Sequence, residues 1–304
     1  MDLQHWKIQR DDQNITWAYF DKHESGVNTI SHEVLEELAQ IIDATQADDS
    51  LGLIIASSKK TGFIAGADIE RFKEIENAQA GFKLISYGQE VFNALEAMTK
   101  PSVAMISGFC VGGGFELALA CHYRVAQNDK STRLGLPEVL LGIHPGWGGT
   151  VRLPRLMGGL KAMPYILSGK TLDARKAYKL GAIDMAVPER QLKNAARYFI
   201  LNKPPKHKPS RLDALTNAAW IRPLLAKMMR KQVAKKVSEK HYPAPYAAIK
   251  QWSKYGVSQS AFEPEAHSIA ELFMTEAAQN LIRVFFLQTQ MKNLAKDIKY
   301  KAHR

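Results

Sequence analysis

Cysteine is scarce: only Cys110 and Cys121 occur in 304 residues. Two thiols cannot build a disulfide framework and are too few for a zinc module, so no metal site is expected. Their apolar surroundings predict small buried hydrophobes. No apolar run approaches the roughly 20 residues that a membrane helix needs, so no membrane span is expected. The opening stretch, MDLQHWKIQRDDQNITWAYF, carries early acids and lacks the basic-then-apolar order of a signal or transit peptide. It reads as the first strands of the fold, and a cytoplasmic location is the expectation. A G-x-G-x-x-G fingerprint after a strand is missing as well, which removes the main sign of a nicotinamide cofactor. Internal repeats and long low-complexity tracts are also lacking.

What is present is a chain 46% hydrophobic and 23% charged, a composition that can close a sizeable core. Its length fits one large domain, or one domain with an added lobe. The formal net charge is +11, and much of the excess lies late, in KPPKHKPSR (203–211) and KMMRKQVAKKVSEK (227–240). These segments read as a basic linker and the wet face of a helix. Such charge can steer a polyanionic ligand. No RNP sequence, helix-turn-helix pattern or zinc-finger spacing accompanies it, so nucleic acid is not an expected partner.

Up to about residue 190, short strand-like runs alternate with amphipathic stretches. NITWAYF (14–20), the continuous apolar run LGLIIAS (51–57) and PSVAMISG (101–108) predict strands. HEVLEELAQIIDATQ (32–46) has helical spacing, with Ser31 as its candidate N-cap. GFKLISYGQEVFNALEAM (81–98) predicts a longer helix, and VGGGFELALACHYRVA (111–126) turns from glycines into another. Strands separated by helices predict an α/β architecture with crossover connections. After about residue 190 helical signals dominate, broken at KPPKHKP and HYPAP (241–245). The expected division is therefore a core over 1–190 and a helical region over 191–304.

Three places combine glycines, a helix start and a carboxylate. They are Gly66-Ala67-Asp68, Gly112-Gly113-Gly114 with Phe115-Glu116, and Leu136-Pro137-Glu138 followed by the glycine-rich run 142–149. Glycines admit close approach of a ligand to the backbone, and amides at a helix start point free N–H groups at it. Two such amides suit an oxygen that gains negative charge during reaction. Two carboxyls with pKa values pushed apart can then act as acid and base. Taken singly, each glutamate has a structural reading, since acids in first turns complement the helix dipole.

Order and spacing add to this. The succession FIAGADI, GFCVGGGFELALACHYRVA, LGLPEVLLGIHPGWGGTVRLPRLMG resembles the enoyl-CoA hydratase/isomerase (crotonase) superfamily over roughly residues 12–190. That resemblance implies an α/β, crotonase-like ββα spiral with a helical C-terminal region. It implies a coenzyme A thioester as substrate, with no separate cofactor. Carried over by position, it places the oxyanion-hole amides at Ala67 and Gly113 and the catalytic glutamates at Glu116 and Glu138. Gly146 matches the position that helps hold the water, and Ala65, Asp68 and Ile69 match substrate-binding positions. The implied reaction is syn addition of water to a 2-trans-enoyl thioester. Glu138 would supply the proton to Cα, and Glu116 would activate water at Cβ.

Simple isomerases of the superfamily usually lack the first acid, so the retained pair favours hydration. A 3-to-2 double-bond isomerase, or a non-catalytic module binding RNA or protein, are the alternatives. His144 and Trp147 depart from the usual pattern. His144 beside the site could titrate near neutral pH, or be structural. Lysines that bind coenzyme phosphates in some relatives are replaced here by Thr61 and Glu70, leaving Lys59, Lys60 and Arg71 as substitutes. The continuation through 240–251, 261–281 and 283–297 resembles the region joining hydratase to dehydrogenase in multifunctional fatty-acid oxidation α-subunits. This implies a 3-hydroxyacyl-CoA dehydrogenase domain and a thiolase subunit as partners, with a homo-oligomer as the alternative. On that view the final stretch, FFLQTQMKNLAKDIKYKAHR, exposes an apolar stripe.

Overall fold

The computed structural model describes residues 2–302, apart from the side chains of 73, 74, 293 and 295–302. Strands β1 (Trp6–Arg10) and β2 (Thr16–Phe20) form an antiparallel hairpin, and helix α1 (His32–Ala47) follows. Ser31 stands at the N-cap of α1 with extended backbone, but its side chain makes no capping bond to the helix.

Three successive turns of chain then repeat one plan. The first runs β3 (Leu53–Ser57), β4 (Gly62–Ile64) and α2 (Ala78–Ala97). The second runs β5 (Ser102–Ile106), β6 (Phe109–Val111) and α3 (Gly113–Ala120). The third runs β7 (Tyr123–Gln127), β8 (Arg133–Gly135) and, after a short 3-10 helix (Glu138–Leu141), α4 (Gly149–Met157). With β9 (Met185–Val187), the first strand of each turn joins a six-stranded sheet ordered β1-β2-β3-β5-β7-β9, parallel beyond the hairpin. The second strands make a separate parallel sheet, β4-β6-β8. This is the expected ββα spiral.

Short strand β4 sits inside the glycine-rich stretch 61–68, β6 falls just before the glycines 112–114, and β7 lies in the tail of a segment that reads as helix. Their pairing partners are neighbouring turns of the spiral, not neighbours in sequence, so local periodicity carries little trace of them.

The apolar run LIIA in β3 is buried on both faces because the large sheet is covered on both. Leu53 and Ile55 pack toward α1, α2 and α3, whereas Ile54, Val103 and Val125 pack against α7 (Glu189–Asn202) through Leu192, Phe199 and Ile200. Helices α5 (Gly159–Ser168) and α6 (Ala174–Leu180) precede β9, and α8 (Arg211–Leu215) and α9 (Arg222–Ala234) follow α7. Next come α10 (Pro243–Tyr255), α11 (Phe262–Phe273) and the long α12 (Glu276–Ala302). Trp252 of α10 and Phe273 of α11 belong to the same buried cluster as the spiral's strands, so the late helices share its core. Lys227, Arg230, Lys231 and Lys235 are exposed, as a solvated basic face requires. Cys110 and Cys121 are free and buried. Among the described residues no helix is long and apolar enough to cross a membrane.

Candidate active site

The small parallel sheet places the three motifs together. The chain leaving β4 carries Ala65–Ala67, the chain leaving β6 carries Gly112 and Gly113, and the chain leaving β8 carries Pro137 and Glu138. All seven line one apolar cavity of about 440 Å³, along with Glu116 and Gly146. The carboxyl ends of adjacent parallel strands are where such sheets gather binding loops.

Backbone geometry at the middle motif depends on glycine. Gly112 has φ of +55°, in the left-handed region, and leads directly into α3. At Gly113 a methyl group would lie 2.4 Å from the Trp147 ring and 3.4 Å from the Ala67 amide nitrogen. The indole therefore seals one side of the turn, and the Ala67 and Gly113 backbones approach closely. Among the described residues neither of these two amides has a hydrogen-bond partner.

Helix α3 is buried along its whole length, which carries Glu116 into the interior at 3% exposure. Its Oε1 accepts the Trp147 amide at 2.8 Å and the Gly149 amide at 2.7 Å. Glu138 begins the 3-10 helix, and although the residue is partly exposed, both carboxyl oxygens are sealed from solvent without a partner. A methyl group on Gly112 would come within 3.4 Å of its Oε1, so the carboxyl lies beside the Gly112–Gly113 turn. Burial drives the Glu138 pKa up to about 8, opposed by its own backbone amide and reinforced by the negative charge of Glu265. Burial also raises Glu116 well above the carboxylate range, reinforced by Glu138 and Glu265 and opposed by the Gly149 and Trp147 amides. Two N–H donors from another segment favour the ionised form of Glu116, and no other described residue donates to Glu138.

Not every residue expected at the site lies there. Ala65, Ile69 and Gly146 line the cavity, whereas Asp68 accepts from Lys22 Nζ at 2.7 Å and caps the next turn through the Glu70 amide. The Gly146 carbonyl already accepts from Gln89 Nε2 at 2.8 Å. Of the substitute bases, Lys59 pairs with Asp21 at 2.6 Å and Arg71 with Glu33 at 3.3 Å, while Lys60 is exposed.

His144 is fully buried, and burial holds its pKa at about 4, so it stays neutral near pH 7 and the titrating role is corrected. Its Nδ1 lies 2.6 Å from the Pro145 carbonyl, which can only accept; Nε2, 2.8 Å from Ser268 Oγ, is then the unprotonated nitrogen and takes the hydroxyl proton.

Sequence reading assigned no role to Glu265. It is a fully buried carboxyl on α11 that reaches the same loop as Glu116, with its pKa raised by burial to about 7. A signal was available. Phe262, Ala266, Ile269 and Phe273 form an apolar stripe at helical spacing, and Glu265 falls inside it. The far wall of the cavity comes from α12, through Leu281, Val284, Phe285 and Gln288. Val284, Phe285, Leu287, Met291 and Leu294 of that helix are exposed, so the expected apolar stripe is present as far as the described side chains extend.

The enoyl-CoA hydratase/isomerase family profile matches residues 12–241. The fatty acid oxidation complex subunit alpha of Vibrio vulnificus is 39% identical over 296 residues, covering 94% of this chain and 41% of that protein. The subunit of the same name from Vibrio cholerae is 40% identical over 309 residues, covering 97% and 43%. The chain thus spans about four-tenths of the length of these curated relatives. Human mitochondrial delta3-delta2-enoyl-CoA isomerase shares the fold with a TM-score of 0.70 at 21% identity, covering 95% of this chain and 99% of that one. An enoyl-CoA hydratase of Geobacillus kaustophilus aligns with a TM-score of 0.62 at 21% identity, covering 95% and 96%. With its spiral, its three glycine motifs and a profile match over most of its length, the chain belongs to the enoyl-CoA hydratase/isomerase family.

Proposed function

We propose that this chain is an enoyl-CoA hydratase that adds water syn across 2-trans-enoyl-CoA to give 3-hydroxyacyl-CoA. The observation that carries the proposal is the pair of sealed carboxyls in one apolar cavity, one held by two amides and the other by none. The Ala67 and Gly113 N–H groups bind the thioester oxygen and stabilise it as enolate charge develops. Ionised Glu116 takes a proton from water as its oxygen bonds to Cβ, and neutral Glu138 gives its proton to Cα. Water is consumed whole. The proton left on Glu116 must return to Glu138 before the next turnover. No cofactor is required for this chemistry.

An isomerase needs only one carboxyl to shuttle a proton between carbons, which leaves the amide-held Glu116 without a task. Hydration uses both. The names of the relatives support a place in fatty-acid oxidation. Their greater length supports a further catalytic part, and the 3-hydroxyl product is the substrate a 3-hydroxyacyl-CoA dehydrogenase domain would take. A thiolase subunit as partner, a change near residue 190 to a helical region that shares the spiral's core, and a cytoplasmic location complete the reading. The test is loss of absorbance of the conjugated thioester with crotonyl-CoA and 2-decenoyl-CoA. Turnover on either supports hydration, and none on both would overturn it.

A further inference from the structure

Four consecutive amides, running from the loop after Pro145 into the first turn of α4, alternate between two carboxyls. Those of Trp147 and Gly149 go to Oε1 of Glu116, at 2.8 and 2.7 Å. Those of Gly148 and Thr150 go to Glu265, at 2.7 Å on Oε2 and 3.0 Å on Oε1. The Thr150 hydroxyl also donates to Oε1 of Glu265, and Gln89 Nε2 donates to Oε2 at 3.1 Å. One short stretch of backbone is thus clamped from both sides, with each carboxyl fixing the amides between those held by the other.

The clamp extends along α11. Ser268, one turn beyond Glu265, meets Nε2 of His144 at the start of the same loop, 2.8 Å away. Gln89 of α2 ties the Gly146 carbonyl to the Phe262 carbonyl at 2.8 and 2.9 Å, joining loop and helix again. Glu265, His144, Gln89 and Thr150 are all buried. A fully buried carboxylate is costly unless bonded, and here its donors belong to the segment that seats Glu116.

We infer that Glu265 is a positioning residue, setting the loop whose amides aim and ionise Glu116. Glu116's catalytic role is taken from the hydratase reading above. Glu265 itself lies outside the cavity lining. Its charge also acts on the site. The charged groups around it are Arg152 of α4, which is paired with Glu96 at 2.9 Å, Glu116 of α3 and Glu138 of the 3-10 helix, while His144 is neutral.

The test compares Glu265→Gln and Glu265→Asp with wild type in crotonyl-CoA hydration, each checked for folding by circular dichroism and Tm. Gln keeps the size and loses the charge, and its amide nitrogen must turn toward an N–H donor. The expected result is a kcat lower by about 10- to 100-fold, in line with the cost of a small misplacement, with KM little changed. The alkaline limb of the pH profile moves to lower pH in Glu265→Gln, where Glu138 loses a like-charge neighbour, and stays in place in Glu265→Asp. An unchanged kcat and an unmoved limb with only a lower Tm would overturn the inference and leave Glu265 a core residue. If Glu265→Gln does not fold, Thr150→Val removes one donor to Glu265, and a smaller fall in kcat is expected from it; no fall would count against the clamp. A second readout needs no turnover, so it separates this inference from the hydratase reading. The Trp147 and Gly149 amide resonances shift in Glu265→Gln although neither touches residue 265, and unshifted resonances would overturn it even in an inactive protein.

Discussion

Glu116 and Glu138 line the same cavity in opposite hydrogen-bond states: two backbone amides hold the first, and no described group bonds to the second. In a dry site this difference decides which carboxyl keeps a proton, because donors stabilise a carboxylate and apolar walls penalise it. On the proposed mechanism, this asymmetry is what separates base from acid.

Removing either charge while keeping shape should expose the division of labour. Glu116→Gln and Glu138→Gln are each expected to lower crotonyl-CoA hydration by about 10² or more, the usual cost of a lost acid–base group. Their effects on isomerisation should differ. Moving a double bond from position 3 to position 2 needs one proton shuttle, so Glu116→Gln should retain any such activity and Glu138→Gln should lose it. Equal retention of hydration in both variants would refute the two-carboxyl mechanism.

The pH profile follows from the same asymmetry. On the proposed mechanism Glu138 supplies the proton, so it must be protonated, and burial places its pKa at about 8. The rate should therefore fall as pH rises through about 8, and kcat/KM for crotonyl-CoA measured between pH 6 and pH 9.5 checks this. Glu116 must be ionised, so a falling limb on the acid side belongs to it. A rate still climbing at pH 9 would show that Glu138 does not supply the proton.

How much of this was legible beforehand depended on range. The apolar run of β3 and the helical spacing of α1 and α2 announce themselves locally, since burial imposes a period on the residues that experience it. The strands β4, β6 and β8 do not, because each exists only through pairing with the next turn of the spiral. Glu116 and Glu138 were readable beside their glycines, as the glycines mark where backbone approaches a ligand. Their unequal bonding was not, for it depends on the loop 147–149 reaching α3 from another part of the fold. Glu265 lies 117 residues from the amide of Gly148 that it accepts. Its one local trace is an acid inside an apolar helical stripe, a pattern that has meaning only once the opposing loop is known.

The cavity wall offers a handle on chain length. Leu281 and Val284 of α12 and Ile269 of α11 face the same space as the carboxyls. Each methylene of an acyl chain gains about 0.8 kcal/mol on burial, so narrowing the apolar end should penalise long chains selectively. Val284→Phe is expected to lower kcat/KM for 2-decenoyl-CoA by roughly tenfold, the scale of one or two methylenes left unburied, with crotonyl-CoA little affected. Equal losses on both thioesters would place Val284 away from the acyl path.

Stability should record what the acid costs. A folded-state pKa of about 8 against an ordinary 4.5 means that the folded protein holds a proton the unfolded chain has released across that range. Stability contributed by this group is therefore full below about pH 4.5 and is lost as pH rises through about 8. At about 1.4 kcal/mol for each unit of pKa, the whole effect is at most a few kcal/mol. Glu138→Gln removes the titration, and its side chain is as unpartnered as the neutral acid, so little else should change. The mutant should match wild type in Tm near pH 5 and exceed it increasingly toward pH 9, while hydrating crotonyl-CoA far more slowly. Parallel Tm curves for the two proteins would mean that Glu138 titrates at an ordinary value, and would remove the ground for its service as the acid.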